Sequence, residues 1–117
     1  MMKLSTKQQR FTECMGLLIN QAYSLGYGLT FGDAFRDSRA HGANGVKDSY
    51  SAANSVHKIR LAVDLNLFVD GEYITSGDHL AYQQLGEFWK GLDVDARWGG
   101  DFPGDANHFS FQHKGVK

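Results

Sequence analysis

The sequence predicts an α+β domain, a small antiparallel sheet with helices packed on one side. Three observations carry that prediction. Phe11, Met15, Leu18, Ala22 and Leu25 recur at helical spacing near the N-terminus. Leu61, Val63, Leu65, Leu67 and Val69 occupy alternate positions of one run, as a strand with a single buried face requires. Leu85, Phe88, Trp89 and Leu92 form a second helical stripe.

Each element has its own signals. Ser5 is the expected cap of the first helix, and Gly26 and Gly28 are expected to close it. Cys14, in register with Phe11, Leu18 and Ala22, reads as a buried helix residue. Leu29 to Phe35 reads as a strand that ends in the polar run Arg36-Asp37-Ser38-Arg39. The stretch from Ala40 to Asn54, roughly fifteen residues rich in Gly, Ala, Asn and Ser, has no clear period; loops of that length are usually functional or disordered, and this one is expected to border a cleft. Leu61 to Val69 is the strongest strand, and its opposite face carries Ala62, Asp64 and Asn66. Asp70-Gly71 signals a hairpin turn into Glu72 to Thr75. A helix is expected from Asp78 to Leu92, a Gly-rich loop from Gly99 to Gly104, and a last strand from His108 to Gln112.

Composition narrows the class. A chain of 117 residues forms one domain, expected to span 1–117 as a single catalytic unit. Thirteen acidic residues nearly balance twelve basic ones and no Lys/Arg-rich run occurs, so nucleic acid is not an expected partner. A single cysteine excludes an intramolecular disulfide and a cysteine-rich structural zinc site. A signal peptide needs an apolar run of about 7–15 residues and a membrane span about 18 or more. Neither pattern is found, so the expectation is a monomer made in the cytoplasm, without membrane insertion, that another factor must release to any target outside.

Chemistry concentrates in two segments, Ser55 to Leu65 and Trp98 to Phe109. They offer the imidazoles of His57 and His108 and the carboxylate of Asp64 as metal ligands, with Asp105 placed to handle protons. Three protein ligands with an open fourth position is the pattern of a catalytic zinc. Donors on one zinc lie roughly 3–4 Å apart. His57 and Asp64 are seven residues apart, roughly 23–25 Å in an extended chain, so the backbone must turn between them. His108 must then arrive from a neighbouring strand. Read by pattern alone, Asp64 is compensated either by a metal or by a basic side chain, because a carboxylate in so apolar a strand is costly to bury alone. His41, His79 and His113 read as ordinary surface or hydrogen-bonded residues.

The spacing Ser55-x-His57-x6-Asp64, with Ala62 two residues before the aspartate, resembles the first zinc motif of the D-Ala-D-Ala carboxypeptidase and L-alanyl-D-glutamate endopeptidase family, which includes many phage endolysins. Trp98-Gly-Gly-Asp-Phe and Asp105-x-x-His108-Phe109 resemble its second motif, and the likeness runs from about Leu29 to Phe111. Arg60 stands where the family has glycine.

The resemblance implies a hedgehog/D-Ala-D-Ala peptidase-like fold. It implies one catalytic Zn2+ held by His57, Asp64 and His108, with Asp105 as general base. It places Arg36 where an arginine polarises the scissile carbonyl or binds a substrate carboxylate, with Arg39 as its rival. Asp101 is the rival base, and Asp105 has the alternative of a plain turn residue. Ser55 is expected to orient His57, and Trp98 either to wall the cleft or to belong to the core. The expected substrate is the peptidoglycan stem peptide, cut at L-Ala–D-Glu by a phage-type endolysin. The alternatives are a D-Ala-D-Ala carboxypeptidase and a non-catalytic wall-binding or virion structural protein.

Overall fold

The computed structural model describes residues 3–32, 59–101 and 105–114. Helix α1 (Leu4–Ser24) leads into strand β1 (Tyr27–Phe31), followed by β2 (Ala62–Val69), β3 (Glu72–Tyr73), α2 (Leu80–Lys90), β4 (Ala96–Trp98), a 3-10 turn (Gly99–Asp101) and β5 (His108–Phe111). The strands run in the order β1-β2-β5-β4 with antiparallel pairing, and β3 pairs with β2 as well. The α+β architecture expected from the sequence is the one observed. Among the described residues, no helix is long and apolar enough to cross a membrane.

The core lies between the helices and one face of the sheet. Leu61, Leu65 and Leu67 supply it from the β2 side, and Phe109 and Phe111 from β5. Phe11 of α1 meets Trp89 of α2 edge-on at 5.5 Å and Phe111 at 5.2 Å. Trp89 is fully buried, and its indole N–H is shared between the carbonyls of Arg97 and Ser110 at 3.0 and 3.1 Å, joining α2 to β4 and β5. Cys14 is buried in the same core, as its spacing predicts.

One edge of β2 is divided between two strands. β5 covers its beginning and β3 its end. Between them the Tyr82 hydroxyl takes the place of a strand: it accepts from Leu67 N at 3.2 Å and lies 3.5 Å from the Leu65 carbonyl. A cavity of about 270 Å³ opens at this break, lined among others by Tyr73, Thr75, Ala106 and Asn107.

Several local expectations need correction. The first helix is capped by Lys3, without a side-chain cap bond, and Ser5 sits inside its first turn. Gly26 alone closes that helix, with φ +86, whereas Gly28 is a residue of β1 paired with Phe68. The second helix begins at Leu80 because the His79 ring accepts from Ala81 N at 3.0 Å, satisfying an otherwise orphaned amide. Strand β4 has no counterpart among the expected elements; three residues are too few to show a period. The turn at Asp70-Gly71 follows the sequence, with φ of 53° and 80° as a two-residue hairpin needs. Of the expected strand Leu29 to Phe35, residues 33–35 lie outside the described residues, as does the loop Ala40 to Asn54.

Candidate functional site

Alternation along β2 sends its odd residues into the core and Asp64 to the other face. The same rule on β5 separates Phe109 and Phe111 from His108 and Ser110. The register then pairs Asp64 directly with His108. Leu65 N donates to Asn107 O at 2.8 Å and Phe111 N to Leu61 O at 2.9 Å, so the hydrogen-bonded pairs fall on either side. Asp64 and His108 therefore form a non-hydrogen-bonded pair, the kind in which facing side chains stand closest. His108 Nδ1 and Asp64 Oδ1 are 3.1 Å apart, with the side chains only 9% and 13% exposed.

Glycines flank this pair along the row across the sheet. Gly32 N donates to the Asp64 carbonyl at 2.7 Å, and a Cβ on Gly32 would lie 3.3 Å from the Asp64 Cβ. On the other side, one step along the β4–β5 register from Trp98 and Phe109, Gly99 comes opposite His108. A Cβ on Gly99 would lie 2.8 Å from the His108 Cβ and would collide with the Asp105 carbonyl. Glycine at 99 is thus what lets the turn before β5 fold down against the sheet.

That turn carries Asp105. His108 N donates to Asp105 O at 3.0 Å, so the three-residue spacing of the motif is a closed turn in the fold. Trp98, 5% exposed, donates its indole N–H to Ala106 O at 2.6 Å and belongs to the core. Asp101, the rival base, is held by Lys90 at 3.1 Å, and Lys90 also pairs with Glu87 at 2.9 Å. These carboxylates hold the Lys90 ammonium above its usual pKa, Glu87 contributing most. The Asp101 carboxylate thus joins its turn to α2.

Arg60 adopts φ +58, the left-handed region that glycine favours. The turn is made here with a side chain tolerated where glycine would carry no strain. Ile59, just before it, is tied to α1 by Gln8 Nε2, which donates to its carbonyl at 2.7 Å. This turn delivers the chain from the segment bearing His57 into β2. His57, Ser55, Arg36, Arg39 and His41 lie outside the described residues. His79 serves as a helix cap, matching its ordinary reading.

Two of the three expected ligands are therefore brought together, with the expected base in the adjoining turn. Among the described residues no group of three His, Cys, Asp or Glu residues is gathered closely enough to hold a metal ion. The chemistry of the pair fits zinc: one carboxylate oxygen and one imidazole nitrogen, 3.1 Å apart, match the roughly 3–4 Å that separates donors on a single ion. Sequence reasoning missed Gly99 as a support of the site, although the Gly-Gly pair after Trp98 is its visible signal. It missed Tyr82 as well, and a lone tyrosine on a helix gives no signal of its partner.

A family model described as D-alanyl-D-alanine carboxypeptidase matches residues 49–111. The matched segment contains both motifs, from Ser55 through Phe109. A search of curated proteins finds no match to the chain.

Proposed function

We propose, since the chain belongs to the D-alanyl-D-alanine carboxypeptidase family of peptidases, that it is a zinc metallopeptidase cutting the peptidoglycan stem, an L-alanyl-D-glutamate endopeptidase of the phage endolysin type. The observation that carries this reading is the cross-strand pairing of Asp64 with His108, a carboxylate and an imidazole 3.1 Å apart on the face opposite the core. His57, Asp64 and His108 would hold the ion. Zinc, when bound, supplies a Lewis acid that makes water a competent nucleophile near neutral pH.

The remaining chemistry belongs to the chain. The Asp105 carboxylate takes the proton of the attacking water and returns it to the leaving amine. Its place on a closed turn three residues before His108 supports that role. Arg36 polarises the scissile carbonyl or grips a substrate carboxylate in bidentate fashion. The cavity at the break between β3 and β5 borders this turn through Ala106 and Asn107 and gives the stem peptide room.

The family description itself favours a second reading, removal of the terminal D-Ala. Mass spectrometry of purified peptidoglycan fragments after digestion separates the two. New L-Ala C-termini with D-Glu amino groups support the endopeptidase, and release of free D-Ala supports the carboxypeptidase. No cleavage by chain reconstituted with zinc would overturn both and leave a wall-binding protein.

A further inference from the structure

We propose that Trp98 is a positioning residue for the reaction, fixing through its indole N–H the turn that carries Asp105; this rests on the reading of Asp105 as general base. The bond from Trp98 Nε1 to Ala106 O, 2.6 Å, lands on the carbonyl of the residue that follows Asp105. Ties to β2 hold the far end of the turn. Leu65 N anchors Asn107 O at 2.8 Å, and β5 begins at His108. His108 is therefore located by the sheet, while Asp105 precedes the strand, its own carbonyl held by His108 N at 3.0 Å and the next residue's carbonyl by the indole.

The ring has no freedom to follow the turn if the turn moves. A Cβ on Gly86 of α2 would overlap ring atoms of Trp98, and so would a Cβ on Gly100. Glycine at both positions lets helix and 3-10 turn close directly on the indole. Lys90 Nζ stands 5.7 Å from the ring centroid while pairing with Asp101. Seated in this way, the indole relays the position of α2 to the Ala106 carbonyl. Trp89 provides an internal contrast, because its N–H is spent on the Arg97 and Ser110 carbonyls within the sheet, away from the turn.

The test uses the full zinc-loaded chain and a stem-peptide substrate. The Trp98 indole is replaced by its benzothienyl analogue, in which sulfur takes the place of the N–H and the ring shape is kept; Trp98→Phe is the encoded counterpart. The expected result is a fall in kcat of about ten- to a hundredfold with KM and zinc content held, assayed well below a thermal midpoint that drops because Ala106 O loses its donor. The same replacement in an Asp105→Asn background should cost less than about threefold more, since groups acting as one unit do not add. An equal loss in both backgrounds, or a loss carried by KM or by zinc content, overturns the role of Trp98 while leaving Asp105 as base. Undiminished turnover in Asp105→Asn alone overturns the base reading, and this proposal with it.

Discussion

Asp64 and His108 face one another across β2 and β5 as a non-hydrogen-bonded pair, Oδ1 to Nδ1 at 3.1 Å, although 44 positions separate them in the chain. The relationship spans two neighbouring strands of the sheet. It is set by strand register, and a shift of one residue would turn either side chain into the core.

Because the pair is built by the sheet, replacing either member should remove metal affinity without unfolding the chain. His108→Ala and Asp64→Ala are expected to lose stoichiometric zinc in elemental analysis while keeping the far-ultraviolet dichroism of the parent. Retention of stoichiometric zinc in both variants would eliminate them as ligands.

Gly99 is the point where the site tolerates no side chain. Gly99→Ala drives a methyl group against the Asp105 carbonyl and the His108 Cβ. Backbone must give way, at a cost of roughly 1–3 kcal/mol. The turn carrying Asp105 is what shifts, so turnover should drop by a larger factor than stability explains. Parallel measurement of kcat and of urea unfolding checks this; a variant with parental turnover would contradict it.

Arg60 holds a left-handed conformation at φ +58 that costs an ordinary residue about 1–2 kcal/mol. Arg60→Gly should therefore raise stability by about 1 kcal/mol, after the extra chain entropy of glycine is discounted. For a domain of this size the thermal midpoint is expected to rise by roughly 3–5 °C. Calorimetry settles the sign, and a fall would show that the Arg60 side chain makes contacts worth more than the strain.

Tyr82 links stability to alkaline pH. Burial pushes its hydroxyl pKa above the ordinary value, the hydrogen bond from Leu67 acting the other way. A raised folded value means the native state keeps its proton after the unfolded chain has lost it. The stabilisation is thus fully present below about pH 10 and fades as pH rises through the folded value. Tyr82→Phe leaves Leu67 N without its partner and should cost roughly 1–3 kcal/mol near neutrality. The gap between parent and variant should narrow in denaturation series carried above about pH 10; a gap that widened would reverse the assignment.

The elements with a period of their own are legible in the chain itself. The alternation of Leu61 to Val69 fixes a strand and the face of Asp64, and the stripe of Phe11, Met15, Leu18 and Ala22 fixes a helix, because burial of one side is written into the spacing of apolar residues. Asp70-Gly71 is equally plain, since both positions need positive φ. The candidate donors, too, are named by the motifs that resemble the family's.

Which donors meet was decided only by tertiary structure. Register brings His108 opposite Asp64, and no local pattern encodes register between strands so distant in sequence. Strand β4 is too short to announce itself, and the seat of Trp98 depends on Gly86 from a helix and Gly100 from a turn. The Tyr82 hydroxyl completes a ladder that two separate strands leave open. Spacing along the chain determines which face a residue presents; long-range packing alone determines what it faces.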